Sequence, residues 1–237
     1  MNRDKLIIVG TGRSGTNHFA KVCQDLGLDV GHEEWHPGGI SSWCVVSDLP
    51  TSPYGPARSD LPVDECAIGH QLRDPVKTIP SLMTMNKSSW AFITADARSR
   101  SEMAWWNKAP LRVKAMWHWL DWNQRADRMS DLHWTLDTAA DMGPGLAEAL
   151  GMEALAGQWK PHWDAARSPT NNAQSRITGF RRLLNTSPPV AYRRWLHANG
   201  RLPATEEALF DADAKLAQDV MDFWQDYRNR LASGGGE

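Results

Sequence analysis

At Leu6–Thr16 a short apolar run (LIIV) enters a glycine-rich turn (GTGRSG), and the turn opens an amphipathic segment. Few folds accept that order. A continuous apolar strand is buried on both faces, as in the centre of a parallel sheet. The turn behind it aims backbone N–H groups and the positive end of a helix dipole at one point, which makes an anion cradle. Against the nucleotide-binding pattern G-x-x-x-x-G-K-[ST], Gly10 and Gly15 fit, but Thr16 stands in place of the lysine. Asn17 stands in place of the magnesium-holding hydroxyl, and the cation lies inside the loop, at Arg13. The loop reads as a cradle for a phosphate-like group handled without Mg²⁺.

The rest of the chain is α/β at the front and mostly helical behind. Lys5–Gly10 reads as a strand and Thr16–Leu26 as a helix carrying Phe19, Val22, Cys23 and Leu26 on one face, stopped by Gly27. Asp29–Val30 reads as a short second strand. His36–Val63, rich in Pro, Gly and Ser, is expected to be a long irregular loop with fragments of structure, of the kind that forms lids and binding surfaces. Cys66–Leu72 is the next strand, and Pro75 to about Asn86 a helix kinked by Pro80. Leu111–Met129 is a strong helix with Val113, Met116, Trp117 and Leu120 in its apolar stripe and Trp119 as a further candidate for it. Leu132–Leu136 reads as a strand, Leu146–Leu150 and Ala154–Trp159 as short helices, and Asp164–Ser175 as loop. In Thr205–Leu231, one or two helices, Leu216, Val220, Phe223 and Trp224 are periodic.

A second polar element follows the strand Cys66–Leu72. Arg73 falls at its carboxyl end, beside the crevice where open α/β sheets bind ligands. Ser81 lies about two turns along the following helix. A guanidinium and a hydroxyl converging there suit a phosphate, since arginine recognises oxyanions in a planar, bidentate way.

Taken together, G-x-G-R-S-G-T after a first strand and R-D-P-x-x-x-x-x-S after a later one resemble the sulfotransferases that use 3′-phosphoadenosine-5′-phosphosulfate. The likeness is clearest over residues 5–85 and weaker over Trp117–Gly151. An arginine in the loop is more similar to the tyrosylprotein and bacterial types than to the cytosolic animal enzymes, whose loop carries lysine. The family's R-K-G element near the C-terminus has no counterpart here. The resemblance implies a P-loop-like three-layer α/β fold with a central parallel sheet, here with a mostly helical C-terminal half. It implies that Gly12, Arg13, Ser14, Gly15, Thr16 and Asn17 hold the 5′-phosphosulfate, that Arg73 and Ser81 hold the 3′-phosphate, and that no metal takes part.

His32-Glu33-x-x-His36 matches the zinc-protease pattern H-E-x-x-H, which needs both histidines on one helix face. Gly31 before it and Pro37-Gly38-Gly39 after it leave no room for a helix, so a zinc site is not expected. A carboxylate base fits better: an alcohol acceptor must lose its proton, and a positioned glutamate takes it. Sulfotransferases resembling this chain place a glutamate at this point, in a G-H-E or G-E-E context. Glu33 and Glu34 both qualify. Glu33 is favoured because it follows Gly-His directly; His32 is the weaker rival, and His70 reads as a hydrogen-bonded core histidine.

A chain of 237 residues is most simply one domain, here 1–231 with a flexible 232–237 tail. A net charge of −2 argues against broad nucleic-acid binding, and no apolar run is long enough to cross a bilayer. Three widely spaced cysteines and an N-terminus without an apolar leader point to a soluble protein of the reducing cytoplasm. Thirteen tryptophans imply large aromatic surfaces; Trp105-Trp106 and Trp117, Trp119 and Trp122 are candidates for a stacking platform, with Trp117 the most core-like. Arg176, Arg181, Arg182, Arg193 and Arg194 read as a solvated basic face. The expected activity is sulfuryl transfer to a small-molecule, glycan, lipid or peptide acceptor. A Mg²⁺-dependent phosphoryl-transfer enzyme and a non-catalytic anion-binding protein are the alternatives.

Overall fold

The computed structural model describes residues 3–100, 106–107, 109–166 and 214–233. Five parallel strands form one sheet in the order β2-β3-β1-β4-β5. They are β1 (Lys5–Val9), β2 (Val30–His32), β3 (Gly39–Ser41), β4 (Cys66–Leu72) and β5 (Leu132–Thr135). Helices α1 (Thr16–Asp25), α2 (Pro75–Leu82), α3 (Lys87–Arg100), α4 (Leu111–Met129), α5 (Gly143–Leu150), α6 (Ala154–Ala166) and α7 (Ala214–Ala232) cover both faces. The fold is α/β in three layers.

The apolar alternation of β1 explains the layering. Leu6 and Ile8 join Phe19, Val22, Trp134, Leu146, Trp159 and Trp163 on the α1, α5 and α6 side. Ile7 and Val9 join Ile40, Ile68, Phe92, Ile93 and Trp122 on the other. There α2, α4 and α7 add Ile79, Met116, Trp119, Val220 and Trp224 around Leu72 of β4. β4, covered on both faces, is buried along all seven residues, whereas Lys5, His32, Leu132 and His133 at the margins of the sheet are half-buried.

Register brings the carboxyl ends of the strands to one edge. Val9 pairs with His70, Ile8 with Ser41, and Leu72 with Thr135. Parallel neighbours normally need a dozen residues between them, yet β2 and β3 are joined by residues 33–38 alone. Strands of three residues make this possible: Glu33 turns the chain at φ 59°, and Gly38 N–H returns to Asp29 O at 2.9 Å. The tip of this reversal carries both candidate glutamates.

The stretch 36–63 is irregular with fragments of structure, as expected: β3 and a buried 3₁₀ turn at Trp43–Val46 are among them. Other expectations need correction. α2 ends at Leu82, two residues beyond Pro80, and α3 is an additional helix. α6 continues to Ala166, so residues 164–166 are helical rather than loop. In α4 the burial is shifted: Trp119 and Trp122 are fully buried, whereas Trp117 is half-buried. A wide face is covered because α4 lies between the sheet and other helices. The tryptophan platform is therefore core, Trp106 included. Trp105, the arginines from Arg176 to Arg194, and residues 167–175, 205–213 and 234–237 lie outside the described residues. Among the described residues no helix is long and apolar enough to cross a membrane.

Candidate functional site

The turn from Gly10 to Gly15 leaves the end of β1 and enters α1. Arg13 (φ 70°) and Gly15 (φ 104°) are both left-handed, with Ser14 between them donating its N–H to Thr11 O at 3.1 Å. Alternation of this kind turns successive N–H groups toward one concavity. Gly15 caps α1 without a side-chain bond, and the first turn holds no acidic residue. The N–H groups of Thr16, Asn17 and His18 therefore lack intrahelical partners, and the dipole's positive end is open to an anion. A Cβ at Gly10 would lie 2.5 Å from Gln71 O, and one at Gly15 2.9 Å from Gln71 Nε2. β4 thus presses against the loop. Gln71 Nε2 donates to Ser14 O at 2.7 Å, and Trp134 Nε1 donates to Gln71 Oε1 at 3.2 Å.

Gly12 is buried beneath Met85 and Trp43. The side chains of Arg13 and Asn17 are exposed, and those of Ser14 and Thr16 are buried. Ser14 Oγ and Thr11 Oγ1 are sealed in without a hydrogen-bond partner. Buried polar atoms are seldom left so, and a bound anion beside the amides would answer them.

Arg73 comes to the loop as its position after β4 requires. Its Nη1 donates to Arg13 O at 2.8 Å, while its Nε is buried and unpartnered. Burial lowers the affinity of this guanidinium for its proton, against Asp74 and Asp137, which favour the charge. Its backbone is held from outside the site, since Trp119 Nε1 donates to Arg73 O at 3.3 Å. Asp74 caps α2 by accepting from Val76 N–H at 2.8 Å. Ser81 sits half-buried in the last turn of α2, and its carbonyl accepts from Thr84 Oγ1 at 2.8 Å. Among the described residues the Ser81 hydroxyl bonds neither the loop nor Arg73.

The two glutamates separate clearly. Glu33 is half-buried, its Oε1 accepts from Trp43 Nε1 at 3.1 Å, and its charge faces that of Arg13. Burial raises its pKa, and this outweighs the Trp43 hydrogen bond and the Arg13 charge, both of which lower it. Glu34 points to solvent, 80% exposed at the side chain, with His36 Nε2 3.8 Å away. His32 Nε2 lies 3.4 Å from Thr16 Oγ1, and burial lowers its pKa. His36 Nδ1 bonds Asp29 Oδ1 at 2.7 Å. The histidines of the H-E-x-x-H pattern thus turn to different partners in a non-helical reversal.

Three participants escaped the sequence reading. Trp43, just after β3, holds Glu33 and is itself anchored by Trp122 Nε1, which donates to Trp43 O at 2.8 Å. Gln71 braces the loop. Tyr54 packs near Trp43, ring centres 6.1 Å apart, with its hydroxyl among Asn86, Ser88 and Ser89. Only the lone aromatics in a Pro/Gly/Ser-rich stretch hinted at Trp43 and Tyr54.

Compared with known proteins, the chain matches no family model and no curated protein.

Proposed function

We propose that this chain is a sulfotransferase, moving a sulfuryl group from 3′-phosphoadenosine-5′-phosphosulfate to an acceptor hydroxyl or amine. One observation carries this: a single loop carbonyl, Arg13 O, receives Arg73, while the Arg13 side chain faces a half-buried, tryptophan-held Glu33. An anion cradle, a second cationic grip and a base then border one crevice at the carboxyl edge of the sheet.

The sulfated nucleotide supplies the activated sulfuryl group. The loop N–H groups from Gly12 to Asn17 hold its 5′ end, and Arg73 with Ser81 holds its 3′-phosphate. Arg13 offsets charge that grows on the transferred group and the bridging oxygen, an electrostatic contribution set before the reaction begins. Glu33 accepts the proton of the attacking hydroxyl. Burial, which raises its proton affinity above that of a free carboxylate, makes it the better base. Thr16 and Asn17, in place of the lysine and hydroxyl of a magnesium loop, support a reaction that does not use Mg²⁺. The acceptor, a small molecule, glycan, lipid or peptide, enters beside Trp43 and Tyr54. Three buried, unpaired cysteines support a reducing, cytoplasmic setting.

Thermal shift with 3′-phosphoadenosine 5′-phosphate, set against ATP with and without Mg²⁺, tests this. A ligand at 100 times its Kd adds about 2.7 kcal/mol, roughly 5–10 °C for a domain of this size. Stabilisation by the bisphosphate without Mg²⁺ is expected. Stabilisation by ATP–Mg²⁺ alone would replace the proposal with phosphoryl transfer, and a shift with neither would end it.

A further inference from the structure

On the face of the sheet away from α1, a second polar cluster plays no part in the site above. β4 and β5 place His70 and His133 side by side in register. α4 lays Asn123 and Asp127, one turn apart, over the pair, and the Tyr227 ring of α7 packs edge-on at 5.1 Å from His70 and 6.0 Å from His133.

The hydrogen bonds fix which atoms face inward. Asn123 Nδ2 donates to Trp119 O at 2.8 Å, so its Oδ1 is the atom that meets His70 Nε2 at 3.1 Å. Nε2 of the neutral ring therefore carries the hydrogen, and Nδ1 holds a lone pair. His70 is wholly buried, and its Nδ1 meets no hydrogen-bond partner. It faces Asp127 Oδ1 at 3.9 Å, a second acceptor. The other carboxylate oxygen, Oδ2, is taken by Arg230 Nη2 at 3.0 Å. His133 Nε2 lies 3.3 Å from the same Oδ1, and all three inward atoms fall within 4.8 Å of one another. Two acceptors, His70 Nδ1 and Asp127 Oδ1, thus converge in a covered site without a hydrogen-bond donor between them.

We propose that His70 Nδ1, Asp127 Oδ1 and His133 Nε2 form a site for a divalent transition ion of the zinc class, with water in the fourth position. Bonds of about 2.0–2.1 Å in a tetrahedron put ligand atoms roughly 3.4 Å apart, close to the 3.3 and 3.9 Å seen here. The surrounding shell is that of a metal centre. His70 gives its other N–H to Asn123, and Asp127 gives its other oxygen to Arg230, the partners that orient ligands in such sites. In the metal-free chain His133 Nε2 also approaches Asp127 O at 3.2 Å. Loading moves the ring hydrogen to Nδ1 and leaves Nε2 for the ion, with no net proton gained or lost by the ring. His133 lies partly open on the edge strand β5, which gives the ion a path in. The ion would tie β4, β5 and α4 together and is independent of the proposed sulfuryl transfer.

The test is titration of chelator-stripped full-length protein with ZnCl₂ by calorimetry, and with CoCl₂ by visible absorption. One equivalent is expected to bind, and cobalt is expected to show the intense d–d bands of a four- or five-coordinate ion. His133→Gln, a change on a partly exposed edge strand, should abolish uptake, and Asn123→Ala should weaken it roughly 10–100-fold. The wild-type cobalt spectrum decides without any variant: weak, water-like bands, no uptake, or uptake unchanged in His133→Gln would each overturn the proposal and leave the trio a hydrogen-bonded cluster.

Discussion

Arg13 joins backbone strain and charge in one residue, and two substitutions separate them. Its φ of 70° places a non-glycine residue in the left-handed region, which costs roughly 1–2 kcal/mol for an L side chain. Arg13→Ala removes the guanidinium and keeps that cost; Arg13→Gly removes both. Glycine gives back about 0.4–1 kcal/mol through the greater freedom of its unfolded chain. The glycine variant should therefore be the more stable of the two by about 1 kcal/mol. For a chain of this length that is roughly 2–4 °C in Tm. The wild-type side chain is exposed, so little packing is lost in either variant, and Arg13→Ala should melt close to wild type. The Arg73 bond to Arg13 O is to backbone and survives both changes.

Activity should follow the charge rather than the strain. Release of 3′-phosphoadenosine 5′-phosphate from the sulfated nucleotide, with water or a panel of phenols as acceptor, should fall about 10²–10³-fold in both variants alike. Because the Arg13 charge lowers the Glu33 pKa, both variants should also move the acidic limb of the rate profile to higher pH. A glycine variant that melts at or below the alanine variant would refute the strain argument. Variants that keep wild-type turnover would refute the role given to the guanidinium.

Glu33→Gln keeps an acceptor for Trp43 and should lower turnover about 10²–10⁴-fold, whereas Glu34→Gln should change it less than threefold (roughly, as for an exposed group); equal effects would remove Glu33 as base. With its pKa raised by burial, Glu33 binds its proton more tightly in the folded state than in the unfolded one. Its favourable contribution is present at low pH and lost as pH rises through the folded value, so Glu33→Gln should gain in Tm relative to wild type above that pH. Arg73→Gln should weaken 3′-phosphoadenosine 5′-phosphate binding about 10–100-fold by calorimetry, the loss of one charge-assisted hydrogen bond. Asp96 is 1% exposed and accepts from Arg125 Nη1 at 2.9 Å and Ser47 Oγ at 2.5 Å. Asp96→Ala removes the buried carboxylate on Arg125, which keeps Asp48 at 3.0 Å, and should cost about 1.5–3 kcal/mol in urea unfolding, the loss of a charge-assisted hydrogen bond; a loss under about 1 kcal/mol would contradict that.

What the sequence made legible tracks how locally each feature is determined. β4 was found at Cys66–Leu72 and α4 at Leu111–Met129, because a continuous apolar run and a long periodic helix carry their own signals. β3, Gly-Ile-Ser, carries none; Leu6 N–H to Gly38 O and Ser42 N–H to Ile8 O bind it to a strand over thirty residues away. α3 was missed because its buried face, Ser89, Phe92, Ile93, Asp96 and Ala97, carries two polar residues whose partners, Tyr54 and Ser47, are distant in the chain. In α4 the ranking of Trp117 as the most core-like indole failed because periodicity gives a stripe, and tertiary packing decides its phase. In the site, the loop and Arg73 were legible because glycines and a strand-end arginine are local. Glu33 was favoured over Glu34 only for following Gly-His; the contact that separates them rests on Trp43, in the 3₁₀ turn after β3.

That dependence shows what sets the spacing of the site. Its parts lie at the ends of separate strands, so no single turn fixes the distance from Arg73 to Glu33. Buried indole N–H groups do so. Trp119 holds the Arg73 carbonyl, and Trp122, three residues on, holds the Trp43 carbonyl while Trp43 holds the Glu33 carboxylate. Both donors sit on one side of α4. Both are wholly buried, where a lost partner costs more than the bond itself contributes. A rigid helix with two such donors, about 4.5 Å apart along its axis, acts as a ruler between the cationic grip and the base. The high tryptophan content of the chain is thereby explained in part by position: these indoles fill the core and set a polar geometry at its edge.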